Sequence, residues 1–285
     1  MDLDAVRAFR LPVAEQSYTW RDMALYALGL GYGSDPLDEG QLAFVYERRG
    51  PRVVPSVCNV LSHPGFWLDR PELGIDWVKV LHAEQGFRTH RMLPPKGTVQ
   101  ARYEVKSVED KGAAKGAILT LEKQLFDKAS GDLCYTVSSA LFLRGDGGQG
   151  GFGPAPTPPA QIPEAAPDLT ITLATTPQSA LLYRLNGDVN PLHADPQVAT
   201  QAGFRQPILH GLATMGIASR ALLEAVCGQD PARLREMYVR FSQPVYPGET
   251  IQTEIFGSGE TLRFRCRVLE RDLIVLDRGT AVVAK

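Results

Sequence analysis

The chain has 285 residues, of which 44% are hydrophobic and 22% are charged, a composition typical of a soluble globular protein. A formal net charge of −2 and a pI near 6.2 give no electrostatic reason to expect a nucleic acid or an acidic membrane surface as partner. This length fits two modest domains better than a single large one.

The cysteines and the terminal segments bear on where the protein works. The cysteines are widely spaced, with no CxxC pair and no zinc-finger spacing, so we expect reduced, buried thiols in a reducing compartment. They are Cys58, Cys134, Cys227 and Cys266. The first residues lack the pattern of a signal peptide, no apolar run is long enough to span a bilayer, and the last three residues are not the peroxisomal address Ser-Lys-Leu. The sequence therefore predicts a cytoplasmic protein without a membrane segment.

The first half opens with a helical pattern and continues into strands. Thr19 is a suitable N-cap, Asp22 places an acid in the first turn, and the apolar positions that follow end at Gly29. Residues 35–73 contain many prolines and glycines, which predicts loops or one covering helix. From 78 to 143 apolar and polar residues alternate, as in half-buried strands. The runs at 117–127 and 133–144 flank a short polar turn and predict an antiparallel hairpin.

A change of composition divides the chain. Residues 145–167 include six glycines and six prolines with hardly any large apolar side chain, so this segment cannot bury enough surface to offset its ordering entropy. We expect it to be a linker. The predicted parts are a first domain at 1–144, the linker at 145–167 and a second domain at 168–285.

The second half repeats the order of helix and strands. Thr176 and Pro177 suit the start of a short helix that ends at Asn186 and Gly187, and Gly211 opens a longer one. Four strands follow, predicted at 238–242, 250–256, 261–269 and 273–283. Short sequence echoes between the halves, such as Thr-Val-Gln at 98–100 and Thr-Ile-Gln at 250–252, indicate a duplicated unit of one helix on an antiparallel sheet.

An acid, an amide and an imidazole crowd into residues 188–193. Pro191 lacks an amide hydrogen and restricts Asn190, so we expect a loop here between two ordered elements. A carboxylate at Asp188 and an imidazole at His193 could hold one water molecule between them, one group removing a proton while the other supplies one. Such a pair suits hydration or its reverse. The Gly211 amide, at a helix start, could bind the oxygen of a conjugated carbonyl.

The segment 183–193 resembles the signature of the MaoC-like (R)-specific enoyl-CoA hydratases and dehydratases, whose motif contains Gly-Asp-x-Asn-Pro-apolar-His. The resemblance extends through 210–211 and 241–248, and more loosely through 81–85 and 110–112, so it covers most of the chain. It is strongest to two-half members similar to the hydratase unit of the peroxisomal multifunctional enzyme. The resemblance implies an α+β double hot dog fold, in which two antiparallel sheets each wrap round a central helix.

The resemblance also implies an activity and a set of site residues. The activity is reversible hydration of trans-2-enoyl-CoA to (R)-3-hydroxyacyl-CoA, as in the beta-oxidation of fatty acids, with an acyl-CoA as substrate, no cofactor and a homodimeric assembly. The implied catalytic residues are Asp188, His193, Asn190 as their support and Gly211 as oxyanion donor. The implied substrate-binding residues are His82, Ala83, Lys111 and Phe241. The first half, which has Gly31 and Pro36 where the second has its acid and its histidine, would shape the acyl-CoA pocket.

Several alternatives stay open from the sequence. A hot dog thioesterase would use similar groups to cleave the thioester, and a non-catalytic acyl-CoA binding subunit would need no acid and base. His193 and His210 with Asp188 and Asp195 could ligate a metal, but their spacing matches no familiar site, so we predict none. We expect His210 to be a packed residue that positions the helix start, whereas Lys111 is either a solvated charge or a contact to phosphate.

Overall fold

The computed structural model describes residues 1–157 and 159–285. Within these residues ten strands form one antiparallel sheet. The strands are β1 (Ala14–Tyr18), β2 (Val80–Thr89), β3 (Gly97–Asp110), β4 (Ala117–Asp127), β5 (Leu133–Leu143), β6 (Leu169–Ala174), β7 (Leu234–Phe241), β8 (Thr250–Phe256), β9 (Thr261–Val268) and β10 (Leu273–Val283). The α-helices are α1 (Leu3–Ala8), α2 (Trp20–Gly29), α3 (Glu39–Val45), α4 (Ser179–Tyr183), α5 (Pro196–Gln201) and α6 (Gly211–Ala225).

The strand order shows an internal repeat. The sheet runs β1-β3-β4-β5-β2-β7-β10-β9-β8-β6, so the first five strands come from the first half of the chain and the other five from the second. Read from its own outer edge, each half has the same connectivity. The two halves join where β2 pairs with β7, with Gln85 opposite Val239. The two expected sheets therefore form one continuous sheet.

Most of the predicted strands are confirmed, although the strand predicted at 238–242 is β7 at Leu234–Phe241 and the edge strands β1 and β6 were not predicted. The predicted spans at 117–127, 250–256 and 273–283 coincide with β4, β8 and β10. In β9 the alternate residues on one face are buried, and these are Leu262, Phe264, Cys266 and Val268. The sheet thus has one face on the core and one towards solvent, as half-buried strands require.

Helix α6 is the central helix of the second half. Eleven of its fifteen residues are buried, and it packs on β6, β7 and β8. Gly216 lets Leu30 approach, because a Cβ at this position would lie 2.5 Å from Leu30 Cδ2. The shorter helices α2 and α4 pack together through Tyr26 and Tyr183, whose ring centroids are 5.8 Å apart. The predicted N-cap Thr19 and its reciprocal partner Asp22 form a capping box at α2.

The first half has no counterpart of α6. The place of a central helix is taken by the buried 3₁₀ turn Pro55–Asn59, which contacts α6, β2 and β5. The chain then reaches Ser62, whose φ of 51° is left-handed, and Pro64, so a helix cannot continue. In the first half this short turn therefore stands where the second half has its long central helix, and the segment 35–73 contains loops and the short helix α3, as predicted.

The first residues of the predicted linker are tied to the sheet. The Asp110 carboxylate accepts hydrogen bonds from the amides of Gly148 and Gly150, each at 2.8 Å, and Phe152 forms an isolated bridge with Val108. These backbone bonds hold a segment that buries little apolar surface of its own. Pro158 lies outside the described residues, and the predicted domain boundaries stay predictions.

Two features agree with the composition of the chain. All four cysteines are free and buried, as the sequence predicts. In the described ranges 1–157 and 159–285, every helix is too short or too polar to cross a membrane.

Candidate active site

The segment that carries the predicted acid and base is shaped by two short turns. Helix α4 continues into the 3₁₀ turn Arg184–Asn186 and ends at Gly187, whose φ of 113° requires a residue without a Cβ. A second 3₁₀ turn, Pro191–His193, follows, and Asn190 Oδ1 caps it by accepting from the Leu192 amide at 3.0 Å. The predicted loop therefore contains a helical turn. Pro191 is tolerated because it occupies the first position, where no amide hydrogen is needed.

His193 is held in one tautomer. Its ring is buried, and Nδ1 donates to the carbonyl oxygen of Ile208 at 2.8 Å. Nε2 of the neutral ring is then a hydrogen-bond acceptor. Burial lowers the pKa of His193, an effect that the Ile208 carbonyl and the nearby Asp188 carboxylate oppose. The ring is accordingly neutral near pH 7 and can accept a proton.

Asp188 lies beside two histidines. One ligand atom from each of Asp188, His193 and His210 can be chosen so that all three lie within 4.8 Å of one another. Asp188 is half-buried, and its main-chain carbonyl accepts from His210 Nε2 at 3.1 Å. This spacing is short enough for one water molecule to contact the acid and the His193 ring together. The structure thus brings together the acid and the base that the sequence predicts.

The same three residues are poorly arranged to chelate a metal ion. The rings of His193 and His210 stack with only 25° between their planes, so their in-plane lone pairs do not converge on one point. One nitrogen of each ring already bonds a backbone carbonyl. Asp195, which the metal alternative also invokes, instead caps α5 by accepting from the Gln197 amide at 2.8 Å. The geometry favours acid–base chemistry over metal binding.

Gly211 opens α6 directly after His210. The His210 side chain makes no capping hydrogen bond to this helix start, which leaves the first amides free to meet a ligand. A Cβ at residue 211 would lie 3.2 Å from both Cδ1 and Cε1 of Phe241. Glycine therefore fits here because the Phe241 ring occupies the space beside it. The ring of Phe241 in turn meets His82 edge-on, with centroids 4.9 Å apart.

A cavity of about 320 Å³ reaches the Asp188 segment. Asp188, Asn190 and Leu212 line it from the second half, and the first half provides all the other lining residues. Its apolar part is formed by Pro64, Phe66, Trp67, Leu68, Trp77, Val80, Tyr103, Leu121, Val137 and Leu141. Its polar part on the first half is formed by Asn59, His63, His82, Gln85, Lys123 and Ser139. The first half thus shapes a pocket that ends at the acid of the second.

The predicted substrate-binding residues lie in different places. His82 lines the cavity, and Phe241 contacts both His82 and the Gly211 position. Ala83 lies at a bulge in the pairing of β2 with β5 and does not line the cavity. Lys111 also lies outside the lining, and its ammonium pairs with the carboxylate of Glu109 near the end of β3.

Sequence reasoning missed the buried polar groups of the cavity wall. Lys123 is the clearest case, because its side chain falls on the face of β4 that is otherwise apolar at Leu119, Leu121 and Leu125. The signal was a charge in phase with the core residues of a strand, which the alternation pattern itself exposes. Gln85 and Ser139 carry no comparable signal, since single polar residues are common in strands.

Comparison with known proteins identifies the family. The family model described as MaoC like domain matches residues 157–277. The model described as MFE-2 hydratase 2 N-terminal domain matches residues 16–145. Enoyl-CoA hydratase 2, peroxisomal, of Arabidopsis thaliana is 37% identical over 96% of this chain and 93% of its own. The chain belongs to the MaoC-like dehydratase family.

Two further relatives support this membership. The 3-hydroxyacyl-thioester dehydratase Y of Mycobacterium tuberculosis is 40% identical over 92% of this chain and 91% of its own. The crystal structure of a MaoC-like dehydratase from Phytophthora capsici superimposes with a TM-score of 0.88 and 35% identity, covering 100% of this chain and 99% of that one. The double hot dog fold and the assignment to the hydro-lyases are thereby confirmed.

Proposed function

We propose that this hydro-lyase adds water reversibly to a trans-2-enoyl-CoA and gives the (R)-3-hydroxyacyl-CoA. The observation that carries the proposal is the approach of the Asp188 carboxylate and the His193 ring to within 4.8 Å. Asp188 also lines the cavity. The names of the relatives, which refer to enoyl-CoA and to 3-hydroxyacyl-thioesters, support the same substrate class.

The reaction needs two proton transfers, and the pair supplies both. As the water oxygen bonds to the β-carbon of the enoyl group, its proton passes to the pair, and the pair gives one proton to the α-carbon. The pair thereby ends as it began, with a carboxylate and a neutral ring. His193 Nε2 is suited to either role, because Nδ1 stays bonded to Ile208 in both protonation states. The roles of Asp188 and His193 are left unassigned between base and acid.

The Gly211 amide would stabilise the thioester oxygen. Addition of hydroxide to the β-carbon places negative charge on that oxygen, and an amide at the start of the fifteen-residue α6 lies at the positive end of the helix dipole. Such a donor contributes about 3 kcal/mol to transition-state stabilisation. Asn190 would support the pair indirectly, since its side chain caps the turn that carries His193.

The first half would bind the acyl chain. Its cavity adjoins the end of the short turn Pro55–Asn59, and one part of its wall is apolar. Phe241, which lies next to Gly211, and His82, which meets the Phe241 ring, would border the thioester. Ala83 and Lys111 stay predictions as contacts of the CoA moiety. In this division the second domain performs the chemistry and the first provides the pocket.

A direct assay tests the proposal. Purified protein should consume the enoyl absorbance of a trans-2-enoyl-CoA, and chiral analysis should give the R product. Release of free CoA thiol, detected with a thiol reagent, would instead indicate a thioesterase. Tight binding of acyl-CoA with no change in absorbance would indicate a non-catalytic subunit. The proximity of an acid to a base favours hydration, because binding alone requires neither.

Other parts of the expected biology are also proposals. Neither proton transfer calls for a cofactor, and activity that survives exhaustive dialysis against a chelator would support this. A homodimer is suggested by the strands β1 and β6, which lie at the two outer edges of the sheet. Sedimentation analysis would test that assembly. A cytoplasmic location and a role in beta-oxidation stay predictions.

A further inference from the structure

The inner face of the first half carries one buried cation. Lys123 is 5% exposed and lies on the otherwise apolar face of β4, between Leu121 and Leu125. Burying an ammonium is costly unless all its donors are satisfied. The corresponding face of the second half, on β9, has no charged residue at its buried positions, all of which are apolar or cysteine. Lys123 therefore needs a specific explanation.

The ammonium of Lys123 bonds the end of the turn Pro55–Asn59. Nζ donates to the carbonyl oxygens of Cys58 at 2.6 Å, Leu61 at 3.1 Å and Asn59 at 3.2 Å. These three bonds use the three donors of the ammonium. Carbonyls at the end of a helical turn lack partners within it, and a cation there is also favoured by the local dipole. Lys123 thus acts as a C-terminal cap provided by a neighbouring strand.

Other strands hold the next residue. The Tyr103 hydroxyl donates to the Ser62 carbonyl, and the Ser62 amide donates to Gln16 Oε1 at 2.6 Å. With its left-handed φ, Ser62 ends the turn at the point where a central helix would run on. Side chains from β1, β3 and β4 therefore fix the segment 58–62 against the sheet. The space beyond the segment is the cavity, and Lys123 and Tyr103 are part of its wall.

The held turn is also connected to the wall nearest the acid. Asn59 Oδ1 accepts from Gln85 Nε2 at 2.8 Å. Gln85 Oε1 in turn accepts from Ser139 Oγ at 2.6 Å and from His82 Nε2 at 2.9 Å. Because these polar groups satisfy one another, an acyl chain can lie over them without leaving a buried group unpaired. A shift of the turn would break this network first at Asn59.

We propose that Lys123 is a positioning residue that determines acyl-chain specificity, because it caps the turn Pro55–Asn59 and so keeps the acyl cavity open. The inference rests on the proposed function, since it takes the cavity to be the acyl site. Without the ammonium, three carbonyls would lose their donor, and the segment would move to find new partners. Two cavities adjoin the segment: Asn59 and Lys123 line one of about 320 Å³, and Val60 and Leu61 line another of about 130 Å³. Movement into the first, which has more room, would narrow the acyl site.

The charge of Lys123 gives a second signature. Burial lowers the pKa of Lys123 to about 8, opposed by the Cys58 thiol. The other titratable groups that face it are His63, from the loop, and the Tyr103 phenol, opposite it on β3. The pKa values of the Cys58 thiol, at about 12, and of Tyr103 are raised by burial, whereas that of His63 is lowered. None of these three groups therefore changes charge in the mildly alkaline range where Lys123 loses its proton. Loss of that proton removes one of the three hydrogen-bond donors of Lys123.

The test compares Lys123→Met with Leu125→Met. Leu125 lies on the same face of β4, is fully buried and does not line the cavity, so its replacement controls for a methionine in this strand. Binding of saturated acyl-CoAs of graded length is measured by calorimetry, alongside turnover of the matching enoyl-CoAs. In Lys123→Met the ratio of long-chain to short-chain affinity should fall about tenfold, the effect of removing a buried donor. In the control this ratio should stay at the wild-type value.

The wild-type protein supplies an independent measurement that needs no variant to fold. Its long-to-short affinity ratio should decrease between pH 7 and pH 9, through the pKa of Lys123. The inference would be overturned if the long-to-short affinity ratio of the wild type did not change with pH. It would also be overturned if the affinities of Lys123→Met depended on chain length as those of the wild type do. Absence of turnover with every enoyl-CoA would overturn the proposed function instead. The affinities for saturated acyl-CoAs of graded length would still test the role of Lys123.

Discussion

The imidazole rings of His193 and His210 stack with their centroids 3.7 Å apart and their planes at 25°. Each ring also bonds a backbone carbonyl, His193 that of Ile208 and His210 that of Asp188. His210 thereby supports the His193 ring from one side and fixes the backbone of Asp188 on the other. The sequence predicted a packed His210 that positions the helix start, and the structure adds a direct bond to the acid's own residue.

The carboxylate of Asp188 should be needed for turnover. We expect Asp188→Asn to lower kcat by about 100- to 10,000-fold, the usual contribution of a positioned acid or base. The amide keeps the size of the side chain, so the fold and acyl-CoA binding should persist. Asp195→Asn is the matched control. Asp195 lies in the same segment as Asp188 and is the N-cap of α5, and asparagine is also a good N-cap residue. A folded Asp188→Asn protein with wild-type turnover would refute the role of the carboxylate.

The ring of His193 should be equally necessary. His193→Gln removes the acceptor at Nε2 and should reduce kcat by a similar factor of about 100 to 10,000. Since burial lowers the pKa of this histidine, the neutral ring of the free enzyme persists to a pH below its ordinary value. The acid limb of the wild-type kcat/KM profile should therefore lie below pH 6.5. An acid limb above that value would show that a different group limits the reaction.

His210 should make the fold sensitive to acid. Burial, with the adjacent His193 ring, lowers the pKa of His210 from 6.5 to about 4. The unfolded chain then binds more protons than the folded one between these values, so stability falls as the pH drops from 6.5 towards 4. The loss is on the order of 2–3 kcal/mol. Urea unfolding at pH 7 and pH 4.5 measures it, and His210→Phe, which cannot titrate, should show a shallower dependence on pH.

Most interior strands of the sheet could be predicted from the sequence, whereas the short edge strands β1 and β6 were not predicted. The run that became β9 alternates residue by residue as a half-buried strand does, and the strand predicted at 261–269 is found at Thr261–Val268. The positions of the acid and the base could also be predicted, because Gly187 and Pro191 constrain the chain locally. Local constraints of this kind leave a direct trace in the sequence.

The absent helix of the first half could not be predicted in the same way. The turn Pro55–Asn59 ends because a lysine from β4 caps it and a tyrosine from β3 holds the following residue, and both are distant in sequence. The same limit applies to the approach of His210 to the Asp188 carbonyl, which depends on the turn Pro191–His193. Features set by long-range contacts leave only weak local signals.

Gly211 should be intolerant of even a methyl group. In Gly211→Ala the new Cβ would lie 3.2 Å from the Phe241 ring, so either the ring or the helix start must shift. Alanine favours helices, and the stability of α6 should therefore not fall. A displacement of the amide should nevertheless cost about 10- to 100-fold in kcat, because catalysis depends on its position.

The double variant Gly211→Ala/Phe241→Leu separates crowding from a direct effect. If the methyl group acts by pressing on the ring, a smaller side chain at 241 should relieve it, and the two substitutions should be less than additive in kcat. Thermal unfolding of all three variants is the accompanying check on the fold. Full additivity, or an unchanged kcat in Gly211→Ala, would mean that the approach of Phe241 to the helix start does not set the position of the oxyanion donor.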